Sequence, residues 1–157
     1  MSVNDILVLD IETEPNMETE QFLVEPKPPR NYKDPVKIER FVNEAKAEQI
    51  PKMAVDIDHA RIRAIGFKAG NKDIVTLYTP TESGEMMALG YLWDEIARQG
   101  QRICGFNVRG FDMPIILRRS WVLGLSSQRV PDLRKYNNPD IIDLMDLLYH
   151  YGDAPGP

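Results

Sequence analysis

The chain has 157 residues with 43% hydrophobic content, enough for one folded domain with a core. A single cysteine, Cys104, excludes an internal disulfide and a thiolate metal cluster. The formal charge of −5 speaks against a module that grips nucleic acid mainly through its phosphates, but leaves open a carboxylate site whose cations neutralise phosphate locally.

The N-terminus carries no basic stretch ahead of its apolar run, which disfavours a signal peptide. No apolar run approaches the roughly 18 residues a membrane span needs. With one cysteine, a reducing, cytoplasmic compartment is the expectation. Charge is uneven along the chain. Residues 1–25 hold Asp5, Asp10, Glu12, Glu14, Glu18, Glu20 and Glu25 without a lysine or arginine. Residues 26–52 and 101–119 are net basic, and are the candidate phosphate-facing surfaces.

In chain order, Ile6–Ile11 reads as a short strand, apolar enough to be central and covered on both faces. Residues 13–34, acidic and then proline-rich, read as loop. Asp34 caps a helix that begins at Pro35 and runs to about Gln49. Residues 61–67 alternate as a strand with Ile62, Ala64 and Gly66 on one face, and a turn at Gly70–Asn71 leads to a partner strand over 73–79. Ser83 is placed to cap the next helix. Met86, Met87, Leu89, Leu92, Trp93 and Ile96 supply its buried side, and Gly100 ends it.

Arg102–Phe106 reads as a further buried strand, Asn107–Gly110 as a turn, and a helix follows from about Asp112 with Pro114 in its first turn and Trp121 on its apolar face. Near the end, the pattern fits a helix capped by Asn138 and running to about Tyr151, or a short strand at 140–143 before a shorter helix. The sum is an α/β fold with a mixed sheet, read as one domain over 1–157 with a proline-rich and helical insertion at about 13–58.

Strand side chains alternate, so Asp10 and Glu12 point one way while Leu7, Leu9 and Ile11 point into packing. Two carboxylates therefore stand together at the C-terminal end of a strand, where open α/β sheets bind ligands. A divalent cation relieves the cost of crowding them, and oxygen-only donors favour magnesium or manganese. Asp112, after a sharp turn at a helix start, completes a three-carboxylate cradle if its strand neighbours the first. Asp112 also reads as a simple helix cap, and Asn107 as a self-bonding turn residue.

These residues resemble a known family. LVLDIETE is similar to the first motif of the DEDD superfamily of 3′-5′ exonucleases, and GFNVRGFDMPIILRR to the second, with Asn107, Phe111 and Asp112 at its marked positions. HARIRAIGF sits where that family has its second strand, and Asp143 of IIDLMDLL stands where an aspartate commonly follows the second motif. The nearest likeness is to exonuclease domains of the B-family DNA-polymerase type, over residues 5–12 and about 60–148.

The resemblance implies a ribonuclease H-like three-layer fold and two magnesium or manganese ions per complete site. Asp10, Glu12 and Asp112 would be catalytic and metal-binding. Thr13, Asn107 and Phe111 would serve the substrate, a single-stranded 3′ end of DNA or possibly RNA, with a polymerase or repair partner. Arg118 or Arg119 would approach the phosphates. It also implies a fourth carboxylate with a tyrosine or histidine four residues ahead of it. Tyr149 and Asp153 have the spacing, but Gly152 and Pro155 interrupt the helix it needs. The expectation is a C-terminally truncated fold with weak or no turnover, or a non-catalytic nucleic-acid-binding scaffold.

Overall fold

A computed structural model of the chain describes residues 3–99, 102–126, 130–136 and 138–149. The chain divides into two compact units, Met1–Glu12 with Ile62–Pro157, and Thr13–Arg61.

The first unit is built on the sheet. Its strands are β1 (Ile6–Pro15, whose last three residues belong to the second unit), β2 (Ala60–Ala69), β3 (Val75–Tyr78), β4 (Arg102–Gly105) and β5 (Ile141–Asp143), in the spatial order β3-β2-β1-β4-β5. β2 and β3 form the antiparallel hairpin, with Ile65 opposite Leu77; β4 runs parallel to both β1 and β5. The sheet is therefore mixed, and β1 lies at its centre. Two long helices accompany it, α2 (Glu82–Gln99) and α3 (Asp112–Val122), with a one-turn helix α4 (Leu144–Leu148) directly after β5. This is the α/β arrangement of a ribonuclease H-like fold.

The core follows the alternation of β1. Leu7, Leu9 and Ile11 are buried, Leu7 pairs with the buried Ile103, and Ile103 pairs with the buried Ile141. Leu89, Leu92, Ile96, Met113, Ile115 and Ile116 bury the inner sides of α2 and α3. Each such side chain contributes about 1.5–3 kcal/mol through apolar burial. The opposite face of β1 differs from expectation: Val8 is 48% exposed and stands beside Cys104, so the strand is central without being covered on both faces. On β2 the buried side holds Ile62, then shifts by one residue to Ile65, Phe67 and Ala69; Ala64 and Gly66 lie on the half-buried side instead.

Three helix expectations also change. Thr81, not Ser83, caps α2, its hydroxyl accepting from the Gly84 N–H. Met86 and Met87 are exposed, Met87 by 73%, because Ala88, Leu89, Leu92 and Trp93 already fill the inward arc. Trp121 is 62% exposed at the end of α3, while Trp93 is buried with its indole N–H donating to Ser120. At the C-terminal side, the strand-then-short-helix alternative is the one observed, as β5 and α4.

A buried ion pair links α2 and α3. Arg119 donates from Nε and a terminal nitrogen to the two oxygens of Glu85 at 2.8 Å each, and Glu85 also accepts from the Ile62 N–H at 2.9 Å. Of the two arginines left open by the sequence, Arg119 is thus internal and Arg118 is the exposed one.

The second unit has a thin interior: Asn16, Met53 and Ala60 are its buried side chains. The stretch expected as loop begins with the polar end of β1 and a 3-10 turn over Met17–Phe22, which Asn16 caps by accepting from Glu18 N–H. The helix α1 (Pro35–Met53) has the expected Asp34 cap, at 3.0 Å to Val36 N–H, but continues through Pro51 to Met53. Pro51 falls in the last turn, where the lost N–H costs a single backbone bond. Lys27, Lys33, Lys37 and Arg40 are exposed in this basic stretch.

Candidate metal centre at the tip of the first strand

Asp10 and Glu12 stand exposed on one side of β1 while Leu9 and Ile11 are buried on the other, as alternation requires. β4 is the parallel neighbour of β1, so the turn that leaves β4 emerges beside the tip of β1. That turn and the helix after it carry Asp112. Its Oδ1 accepts from the Ile11 N–H at 3.0 Å, and Ile11 is the residue between Asp10 and Glu12. Asp112 is 3% exposed.

The turn has a fixed shape with identifiable causes. Gly105 leaves no room for a side chain, since an added Cβ would meet the Leu9 carbonyl oxygen at 2.6 Å and Val108 at 2.9 Å. Asn107 adopts φ 53°, the left-handed region that asparagine tolerates better than most residues. Its carbonyl accepts from the N–H groups of Gly110 and Phe111. Its side chain lies so close over Gly110 that a Cβ there would meet Oδ1 at 2.4 Å. Phe111, half-buried, precedes the first residue of α3.

The electrostatics of Asp112 are those of a crowded, desolvated acid. Burial pushes its carboxyl up from 3.8 to about 6 and the charges of Asp10 and Asp143 push the same way, while the Ile11 N–H and its own backbone N–H pull it down. Asp112 therefore feels two neighbouring acids at the end of the sheet. The donor chemistry suits a hard divalent cation, which would relieve an anion held in this way. The convergence is incomplete: among the described residues, no group of three acidic, histidine or cysteine side chains is arranged to hold a metal ion. Asp10 and Asp112 come within electrostatic reach, whereas nothing in the structure brings Glu12 into contact with them.

Of the other residues singled out, Thr13 donates its hydroxyl to the Ala54 carbonyl at 2.6 Å inside the second unit. His59, in the same unit, lies 3.0 Å from the Thr19 hydroxyl through Nδ1. His150 and Asp153 lie outside the described residues, so the Tyr149–Asp153 pairing does too.

Two residues matter more than their sequence context suggested. Asp143 and Asp146, three apart and acidic, read equally well as solvated surface, yet both are buried. Asp143 accepts from the N–H groups of Asn107, Arg109 and Met145, and Asp146 binds the Arg109 guanidinium through two nitrogens at 2.9 and 3.2 Å. The only sequence signal was the position of Asp143 after the second motif. With Arg102, Arg134, Lys135 and Asn138, these residues line a cavity of about 280 Å³ at the β4–β5 edge.

A mixed sheet with β1 at its centre, β4 and β5 parallel beside it and the helices α2 and α3 accompanying it is the arrangement of the ribonuclease H-like class. Residues 53–156, well over half of the chain, match the family described as "Predicted 3'-5' exonuclease related to the exonuclease domain of PolB", and the chain belongs to that family. Among solved structures, it is similar in fold to the family B DNA polymerase from the hyperthermophilic archaeon Pyrobaculum calidifontis. The TM-score is 0.54 and the identity 16%; the likeness covers 93% of this chain and 16% of the polymerase chain. No curated protein matches the chain. Among the described residues, no helix is long and apolar enough to cross a membrane.

Proposed function

We propose that this chain is a divalent-metal-dependent exonuclease module that acts on single-stranded 3′ ends of DNA, with Asp10, Glu12 and Asp112 as the metal-binding and catalytic carboxylates. The observation that supports this reading is the hydrogen bond from Ile11 N–H to Asp112, which ties a buried acid to the backbone of β1 next to Asp10. Magnesium or manganese, when bound, supplies the activation of water and the neutralisation of charge at a scissile phosphate.

The protein's own groups then have separate tasks. Asp10 and Asp112, already coupled through space, provide the oxygen donors. Glu12, exposed on the same side of β1 as Asp10, would be the further donor. Asn107 and Phe111 shape the turn that delivers Asp112. Phe106, 54% exposed at the end of β4, offers a flat face on which a terminal base stacks. Turnover is expected to be slow, because no three-donor cluster is assembled among the described residues. That same observation favours a second reading, a binding module that keeps the fold without hydrolysis.

The test is product analysis on a 5′-labelled single-stranded DNA oligonucleotide with manganese. The nuclease reading expects stepwise shortening from the 3′ end, lost in a doubly substituted Asp10→Asn, Asp112→Asn protein. Internal cleavage, or shortening that survives both substitutions, would overturn it. Binding of the oligonucleotide with no shortening at all would establish the second reading.

A further inference from the structure

We propose that Asp143 is a positioning residue for this carboxylate site: it fixes the 106–111 turn through backbone amides and thereby sets where Asp112 stands. The inference rests on the reading of Asp10 and Asp112 as a cation site.

A carboxylate 5% exposed needs partners, and Asp143 finds them in three backbone amides. Oδ1 accepts from Asn107 N–H at 2.9 Å and from Met145 N–H at 3.0 Å; Oδ2 accepts from Arg109 N–H at 3.0 Å. Two of these donors lie in the turn, 36 and 34 residues away in sequence. The third belongs to the first turn of α4, so one side chain caps that helix and braces the turn at once.

The strand pairing makes the placement rigid. Gly105, the last residue of β4, is in register with Asp143, so the carboxylate sits level with the point where the chain leaves the sheet. The turn it braces contains a residue at positive φ, a conformation that a free loop would readily leave. Asp146 adds a second hold on the same turn through the Arg109 guanidinium. Asp112 follows the braced turn directly, and Met113 N–H bonds back to the Val108 carbonyl, carrying the brace into the first residues of α3. Asp143 therefore reaches the cation site through the backbone of the turn that carries Asp112, beside the effect of its own charge.

Asp143→Asn is the direct test, because the substituted amide presents a donor where an N–H donor already points. Calorimetric titration of the full chain with manganese reads the effect below the unfolding temperature. The dissociation constant is expected to rise at least tenfold for Asp143→Asn, with the Asn107 and Arg109 amides exchanging faster in the same variant; weaker binding with unchanged amide protection would be a pure charge effect and would overturn the proposal. The constant should stay within twofold for Glu85→Gln, which breaks a buried ion pair elsewhere in the same unit. A merely structural Asp143 would lower the melting temperature and leave manganese affinity within twofold of the original, which would overturn the proposal.

If the unsubstituted chain binds no manganese, the cation reading fails by itself. Amide hydrogen exchange then judges the brace separately, and it serves equally if Asp143→Asn does not fold. Strong protection of the Asn107 and Arg109 amides in the unsubstituted chain supports the proposal, and exchange at unprotected rates overturns it.

Discussion

The two units of the chain are stabilised by different means. Met1–Glu12 with Ile62–Pro157 holds nearly all of the buried apolar side chains, whereas Thr13–Arg61 buries only Asn16, Met53 and Ala60 among its described residues. The first closes over a sheet and two helices, with the internal pair Arg119–Glu85 joining the helices and Asp143 held by backbone amides. The second relies on capping residues and on exposed pairs such as Arg40–Glu44. The difference teaches where substitutions hurt: in the first unit a single polar atom inside the core decides stability, while in the second most side chains are expendable.

The sharpest way to break that contrast is Glu85→Ala. It removes the carboxylate that Arg119 meets through two nitrogens inside the core, and equilibrium urea unfolding should show a loss of about 3–5 kcal/mol. A loss below about 1 kcal/mol would mean that the pair is not internal. Met53→Ala comes next, at about 2–3 kcal/mol, since Met53 is the one large side chain fully buried in the second unit. A negligible effect would show that this unit has no core at all.

Asp112→Asn works in the opposite direction. The folded carboxyl titrates at about 6 against an ordinary 3.8, so between those values the folded chain keeps a proton that the unfolded chain has released. Stability falls as pH rises through that window, and the full cost is present above it. In chelator-containing buffer, the substitution should therefore stabilise the protein by about 1–2 kcal/mol at neutral pH, because the asparagine oxygen still accepts from Ile11 N–H without carrying the desolvated charge. The gain should disappear below about pH 4. A destabilising effect at neutral pH would contradict the assignment of Asp112 as a crowded anion. The smallest expected change is Asp34→Ala, which removes the α1 cap and should cost about 1 kcal/mol by thermal unfolding.

How much of this was legible in the sequence follows the same division. β1, the β2–β3 hairpin, α2, β4 and the start of α3 carry strong local periodicity, and their order placed Asp10, Glu12 and Asp112 near one end of the sheet. Local patterns failed where the deciding partner is distant. The polar end of β1 continues the strand to Pro15, although Glu12–Pro15 shows no local strand preference. Val8 looked internal because every neighbour is apolar, although nothing covers it fully. Met87 and Trp121 are apolar residues outside an arc that other side chains already fill. The partners of Asp143 and Asp146 lie some 34–37 residues away, so no short-range pattern distinguishes these acids from solvated ones.

The central claim is that Asp112, seated on the Ile11 amide beside Asp10, is a cation-binding carboxylate. Carbon-detected NMR titration of the Asp112 carboxyl with and without magnesium tests it directly. The account predicts a midpoint of about 6 without the ion, and a clear downward displacement once magnesium is bound. A midpoint that does not move at saturating magnesium would contradict it.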